Sequence, residues 1–149
     1  MAIKNYTTKI SAAQTVGEIQ EILAMHGAKK IMLEYGDKGK VTSVTFCLEC
    51  FGFLQGFRLE PKSAGVSSVM AKDRIKCDEQ QAERIAWRNI KDWIAAQVAL
   101  VETEQASMEQ LFLPMMITNR DDTLFDMLKS NNKLLLGEGM DGESTYGRN

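Results

Sequence analysis

The stretch that decides the fold is "KKIMLEYGDKGKVTSVTFCLECFGFLQGFRLE", residues 29–60. Three of its segments alternate apolar with polar side chains, and this period of two is typical of strands with one buried face. The tetrapeptide "GDKG" at 36–39 is typical of a hairpin turn between the first two segments. The stretch therefore predicts a three-stranded antiparallel meander. The apolar side chains that share one face of each predicted strand are Ile31, Leu33 and Tyr35 in the first, Val44, Phe46 and Leu48 in the second, and Phe53, Phe57 and Leu59 in the third.

Helices are predicted on both sides of the meander. Thr15 and Glu18 have the spacing of a capping box, which begins a helix over 15–27. The strongest helical pattern begins after Asp78 and covers 79–105. Short helices are predicted after Pro61, Ser107 and Asp121 or Asp122. Together these elements predict an α+β fold: a three-stranded antiparallel meander packed on a long C-terminal helix, with short flanking helices.

The length of 149 residues is that of one domain with an ordinary core. We predict a single α+β domain over 1–136 and a disordered, acidic, Gly-rich tail over 137–149, "GEGMDGESTYGRN". The longest apolar run, 93–101, is too short to span a bilayer, and the first residues have no apolar signal-peptide region. We therefore expect no membrane partner, reduced cysteines and a location in the cytoplasm.

The charge is divided unevenly along the chain, although its net value is only −2. Residues 1–76 carry 11 Lys and Arg against 7 Asp and Glu, whereas residues 77–149 carry 7 against 13. The first half is therefore basic and the second half acidic. A basic face on the first half could meet phosphate or an acidic protein.

The pair Cys47 and Cys50 has the spacing of a metal-binding or redox motif. A structural zinc site needs four ligands, and the other soft ligands in the chain are only Cys77 and the single histidine, His26. Cys47 also lies inside an alternating strand, whereas the cysteines of a zinc knuckle sit on a tight turn. A strand rather than a helix follows Cys50, which disfavours redox catalysis. We predict packing roles for the cysteines, and no metal or cofactor.

No constellation in the sequence supports catalysis. There is no nucleophile motif around a serine or cysteine, and no phosphate-binding glycine loop. The carboxylates near Asp121 are better explained by helix capping than by a metal. We therefore predict no catalytic residue and a protein that is not an enzyme.

Basic residues give the sequence its candidate binding surface. In the long predicted helix they form a stripe beside a tryptophan, and others lie on or near the meander. Phe51, Phe53 and Phe57 could stack on bases, although Phe53 and Phe57 share a strand face with Leu59, which suggests core. The residues predicted to bind a partner or nucleic acid are Arg84, Trp87, Arg88, Lys91, Lys38, Lys40 and Arg58.

The second half of the long helix, "WIAAQVALV" at 93–101, is interrupted only by Gln97 and is predicted to be buried nearly all round. Such a segment lies either through a domain core or in an oligomer interface, and both alternatives stay open. The residues predicted for a homodimer interface are Trp93, Ile94, Val98, Leu100 and Val101.

The segment 81–114, "QAERIAWRNIKDWIAAQVALVETEQASMEQLFLP", resembles a widespread family of small phage and prophage accessory proteins. The resemblance covers most of 15–130. Its most specific part is a pattern formed by Trp87, Arg88, Lys91, Asp92, Trp93, Ala96 and Gln97. It implies phage origin and action inside a bacterial host cell, and it implies no catalytic residues.

The function expected from these observations is that of a non-enzymatic phage accessory protein. It would bind and modulate or inhibit a host macromolecular complex, such as a defence or nucleic-acid-processing system. One alternative is a nucleic-acid-binding accessory of replication or recombination, whose affinity would fall steeply with salt. Another is a sponge for nucleotide signals, which would need a basic pocket at an oligomer interface.

Overall fold

The structure is a computed structural model that describes residues 2–138. The helices and strands are α1 (Ala12–Met25), β1 (Lys30–Tyr35), β2 (Val41–Cys50), β3 (Phe53–Leu59), α2 (Ser63–Lys72), α3 (Glu79–Glu102), α4 (Met108–Leu111) and α5 (Leu124–Ser130). Short 3-10 turns occur at Asp37–Gly39 and Leu113–Met115. The predicted α+β class, with three antiparallel strands and a long helix after them, is confirmed. The predicted tail lies outside the described residues from residue 139 onward.

The sheet has the strand order β1-β2-β3, so β2 is central. Phe46 of β2 lies opposite Ile31 on one side and Phe57 on the other. The rings of Phe46 and Phe57 stack with centroids 5.2 Å apart, and Phe112 meets Phe46 edge-on at 5.3 Å. Because side chains alternate along a strand, this register places the apolar positions of the central strand together on the helix-covered face.

Helix α3 packs against α1 and α2 and supplies much of the core. Its first turn is capped by the Asp78 carboxylate, which accepts a hydrogen bond from the Gln81 N–H at 2.7 Å. Ile85, Trp87 and Ile94 are fully buried, and Trp87 and Ile94 belong to the core cluster that includes side chains of the sheet. The apolar face of α3 therefore closes one side of the sheet.

The caps of two helices differ from the prediction. Helix α1 begins at Ala12 because Ser11 caps it by accepting from the Gln14 N–H, and Thr15 is a buried residue inside the helix. Helix α5 is capped by Thr123 rather than by Asp121 or Asp122. In both cases another hydroxyl residue has the extended backbone that an N-cap needs.

The two outer edges of the sheet differ. A segment after α4 lies along β3, where the Ile117 N–H donates to the Gly56 carbonyl at 2.9 Å and the Gln55 side chain donates to the Ile117 carbonyl at 2.8 Å. By contrast, no strand pairs with the outer side of β1 among residues 2–138. Among the residues that the structure describes, the sheet is therefore covered on one edge and open on the other.

None of the helices within residues 2–138 is both long enough and apolar enough to cross a bilayer.

Candidate functional site

The predicted basic binding residues do not form one surface. Lys38, Lys40 and Arg84 line a groove at the end of the sheet where α1 and α3 begin. Arg88 lies on the side of α3 that faces α1, and Arg58 lies on β3 beside the loop before α5. The structure thus separates these residues into three places.

The groove has a volume of about 1120 Å³ and is lined by the residues that begin α1 and α3 and by the turn between β1 and β2. Three cations line it, as do four carboxylates, so its side chains carry a net charge of −1. The carboxylates are Asp37, Asp78, Glu79 and Glu83. A surface with this balance does not concentrate phosphate groups, and the groove gives no support to a nucleic-acid site.

Lys40 is held by an internal ion pair at this groove. Its ammonium group contacts the carboxylate of Glu83, which is buried, and lies 3.4 Å from Glu79. The hydrogen bond that the Lys40 ammonium donates to Glu83 is the main reason that the pKa of Lys40 is raised. These ion pairs join Lys40, next to the β1–β2 turn, to α3, so the ammonium group already has partners within the chain.

Two members of the predicted stripe of Arg84, Arg88 and Lys91 are also paired within the chain. Arg88 donates to Glu18 of α1 at 2.8 Å, and this hydrogen bond holds the pKa of the Glu18 carboxyl below its usual value. Lys91 lies 4.0 Å from Asp92. These pairs join or flank the α1–α3 contact and leave no continuous row of free cations along this side of α3.

Trp87 was predicted to contact a partner, and this prediction is wrong for the structure described here. The whole residue is buried in the core, since the helical period that carries Ile90 and Ile94 inward also carries Trp87. Its indole N–H has no hydrogen-bond partner among the described residues. The ring therefore packs and cannot stack on a ligand.

Arg58 holds the loop that precedes α5. Its guanidinium donates to the Asp121 carboxylate at 2.6 Å and to the Asp121 carbonyl at 3.0 Å. Beside it lies an apolar pocket of about 400 Å³, which is within the size range of small-molecule sites. The apolar lining residues are Leu59, Ile90, Trp93, Pro114, Met115 and Phe125. Arg58, predicted to bind a partner, and Trp93, predicted for a homodimer interface, both line this pocket.

The segment 93–101 is buried on one face only, which corrects the prediction that it is buried nearly all round. Ile94 and Val98 are buried in the core of the same chain, whereas Ala95, Ala96 and Ala99 are exposed. The exposed positions carry alanine, whose small side chain made the segment look uniformly apolar in sequence. Trp93 and Val101 pack against that same core, and Leu100 is half-buried. A homodimer through this segment stays a prediction without an exposed apolar face of large side chains to support it.

The three cysteines are free thiols. Burial raises the pKa of the Cys50 thiol, and the nearby Glu109 carboxylate raises it further. A raised pKa lowers the fraction of thiolate, which is the nucleophilic form. Within residues 2–138, no group of three or more His, Cys, Asp or Glu side chains is arranged to hold a metal ion.

The strongest candidate site is the turn between β2 and β3. The exposed fractions of Phe51, Phe53 and Leu54 are 66%, 59% and 40%, and these three residues are close neighbours in the chain. We call these three residues the hairpin tip. Phe53 and Leu54 point to opposite faces of the strand, so the hairpin tip presents apolar side chains on both faces. Contiguous exposed apolar groups of this kind mark interaction sites.

The backbone of the hairpin tip is unfavourable for the residue that occupies it. Phe51 and Gly52 form a two-residue turn in which both φ angles are positive, at 53° and 86°. Asparagine or glycine is preferred at the first of these positions, and a left-handed conformation costs another L-residue about 1–2 kcal/mol. Phe51 does not recover this cost by burial, because most of its ring is in solvent. Folding alone therefore does not account for a phenylalanine here.

The sequence pattern only partly located the hairpin tip. Phe57 and Leu59 are buried as predicted, but Phe53, which shares their strand face, is exposed. This face of the strand extends beyond the part of the sheet that the helices cover. The alternation of apolar and polar residues in the sequence cannot show where the helix cover ends. Phe57, proposed as a stacking residue, is fully buried and unavailable.

Comparison of the chain with protein-family models, with curated proteins and with solved structures gave no match.

The single histidine gives the end of α1 a specific pH dependence. Nδ1 of His26 lies 2.6 Å from the Ile22 carbonyl and Nε2 lies 2.9 Å from Glu102. Both nitrogens face acceptors, so the charged ring is favoured, and the Ile22 hydrogen bond is the main cause of a raised pKa. A raised folded-state pKa adds stability that is complete below the unfolded pKa and is lost as the pH rises through the folded one.

We therefore expect the free energy of unfolding of the wild type to fall as the pH rises from about 6.5, the ordinary pKa of histidine, through the raised folded-state pKa of His26, and to fall less in His26→Gln. Urea denaturation at several pH values measures this difference. The carboxyl of Glu18, whose pKa is lowered, gives the opposite slope only in the acidic range, so the two effects are separable. An identical slope in both proteins between these pH values would contradict the assignment.

Proposed function

We propose that this chain is a non-enzymatic phage accessory protein that binds a host macromolecular complex in the bacterial cytoplasm, with the hairpin tip as its anchor. The observation that carries the proposal is the exposed Phe51 in a left-handed turn. A residue that is unfavourable for folding and useless for packing is expected where binding requires it. The resemblance of 81–114 to small phage proteins supports the phage origin.

The chemistry of the hairpin tip favours a protein partner with an apolar cleft. Aromatic side chains that enter a pocket commonly contribute most of the affinity of an interface. The charges beside the hairpin tip are acidic: Glu49 lies directly opposite Leu54, and Glu109 is close enough to Cys50 to raise its pKa. Carboxylates near the anchor repel a phosphate backbone, which weighs against the nucleic-acid alternative.

The proposal is tested by affinity purification from bacterial lysate with wild-type protein and two matched variants. Phe53→Thr removes an aromatic ring from the hairpin tip, and Phe125→Thr removes an equally exposed ring, 58% against 59%, from α5. We expect one specific protein to be recovered with the wild type and with Phe125→Thr, and to be lost with Phe53→Thr. Retention with Phe53→Thr but loss with Phe125→Thr would place the anchor at the apolar pocket instead.

A second measurement tests whether the partner is a protein rather than a nucleic acid. If several salt conditions yield no specific protein, and a mobility shift shows nucleic-acid binding that weakens with salt, the protein-binding proposal is wrong. A thermal shift with cyclic nucleotides examines the sponge alternative in the same preparation.

A further inference from the structure

The strand at the open edge of the sheet, β1, has an order of charged and apolar side chains that is complementary to a second, antiparallel copy of itself. The outer edge of β3 is covered by the segment around Ile117, but the outer edge of β1 has no strand partner within residues 2–138. Exposed edges of this kind pair with other strands unless the sequence prevents it. What can pair with β1 depends on which backbone groups point outward and which side chains accompany them.

The hairpin geometry fixes the outward-pointing backbone groups. A two-residue turn closes on a pair that exchanges two hydrogen bonds, here Cys50 with Phe53, and such pairs alternate along an antiparallel ladder. Thr45 lies between two of these pairs, so its backbone N–H and C=O groups point away from β3 and towards β1. There Thr45 lies opposite Met32. It follows that the N–H and C=O groups of Ile31 and Leu33 point to the open edge.

The side chains around these groups are arranged symmetrically about Met32. The order Lys30, Ile31, Met32, Leu33, Glu34 reads as positive, apolar, apolar, apolar, negative. If two copies of β1 pair antiparallel with Met32 opposite itself, Ile31 lies opposite Leu33 and Lys30 lies opposite Glu34. The outward N–H and C=O groups of Ile31 and Leu33 then meet as hydrogen-bonded pairs.

The alternative registers are less favourable. A shift by one residue would place side chains of the two sheet faces opposite each other, because the strand period is two. A shift by two residues would place Met32 opposite Glu34 or Lys30, which separates the charges. Only the register centred on Met32 makes both opposite-charge pairs, and it also covers a methionine that is 55% exposed.

We propose that this chain forms a two-fold homodimer in which the β1 strands of two copies pair about Met32 into one six-stranded sheet. The two hairpin tips then lie at opposite ends of that sheet, since the paired strands run in opposite directions. The dimer does not use 93–101, and it does not depend on the function proposed above.

The test is sedimentation of the full chain over a range of concentrations, with charge-reversal variants of exposed residues. Lys30→Glu and Glu34→Lys each turn two attractive cross-strand pairs into repulsive ones, so each is expected to raise the dimer Kd about thirtyfold. The double variant Lys30→Glu/Glu34→Lys should return the Kd to within a few-fold of the wild type. Lys72→Glu, a charge reversal at an exposed position on α2, is the control and should leave the dimer Kd unchanged.

Mixing the two single charge-reversal variants is the most specific test of the proposed strand pairing. Lys30→Glu and Glu34→Lys are each self-repelling, but a heterodimer of the two makes both pairs attractive. We expect each variant to sediment as a monomer alone and the mixture to sediment as a dimer. A wild type that stays monomeric at millimolar concentration, or a dimer that neither reversal weakens, would overturn the proposal.

Discussion

Replacing Trp87 with alanine is expected to lower the free energy of unfolding by about 3–5 kcal/mol, the range typical of large-to-small changes at buried aromatic positions. Trp87 is fully buried in the cluster that includes Phe46, Phe57 and Phe112, so its removal leaves a cavity where α3 meets the rest of the core. A domain of this size has only about 5–15 kcal/mol of stability in total. Urea denaturation with an unchanged m-value measures the loss.

Trp93→Ala is the matched control on the same helix. Trp93 is only half-buried and meets Phe112 edge-on at 5.2 Å, so a smaller loss is expected. If instead Trp87→Ala left stability unchanged and reduced binding to a partner, the Trp87 ring would contact that partner, as predicted from the sequence.

Replacing Phe51 with asparagine is expected to stabilise the protein and to weaken its binding to the partner. Asparagine tolerates the left-handed backbone of this turn, so the free energy of unfolding should rise by about 1 kcal/mol, which is about 2–4 °C in Tm. An aromatic anchor contributes about 2 kcal/mol or more to an interface, so the Kd for the partner should rise at least about thirtyfold.

Opposite signs for stability and affinity distinguish a binding residue from a structural one. Thermal denaturation and binding of the purified partner supply the two values. The control is Phe125→Asn, which removes an exposed ring from regular helix and is expected to keep the affinity while adding no stability. If Phe51→Asn lowered the Tm, the turn would not impose the backbone described here. If it left the Kd unchanged, the hairpin tip would not be the anchor.

Local pattern was sufficient for most of the fold. The alternation in β2 predicted which side chains face the helices, because one face of a sheet must be buried and a slip of one residue would reverse every side chain. The cap at Ser107 was also predicted, since Gln110 completes a capping box there. The start of α1 was missed because Thr15 and Glu18 imitate a capping box while Ser11 supplies the cap.

The candidate site was harder to predict, since its properties depend on residues far apart in the chain. Arg88 and Glu18 are separated by 70 positions, so nothing local shows that the arginine is already paired. The exposure of Phe53 depends on where the helix layer ends. A local signal did exist for Phe51: it precedes a glycine between two strands, where asparagine would be usual.

The length of α3 separates the two ends of the molecule electrostatically. Its 24 residues span about 36 Å, and about 28 Å of this length separates Glu83, in the Lys40–Glu83 pair, from Glu102, in the His26–Glu102 pair. The Debye length in physiological salt is about 8 Å, so a charge at one end is almost invisible at the other. Titrating His26 should therefore leave the ion pairs of the groove unchanged, and substitutions at the two ends should have additive effects on stability.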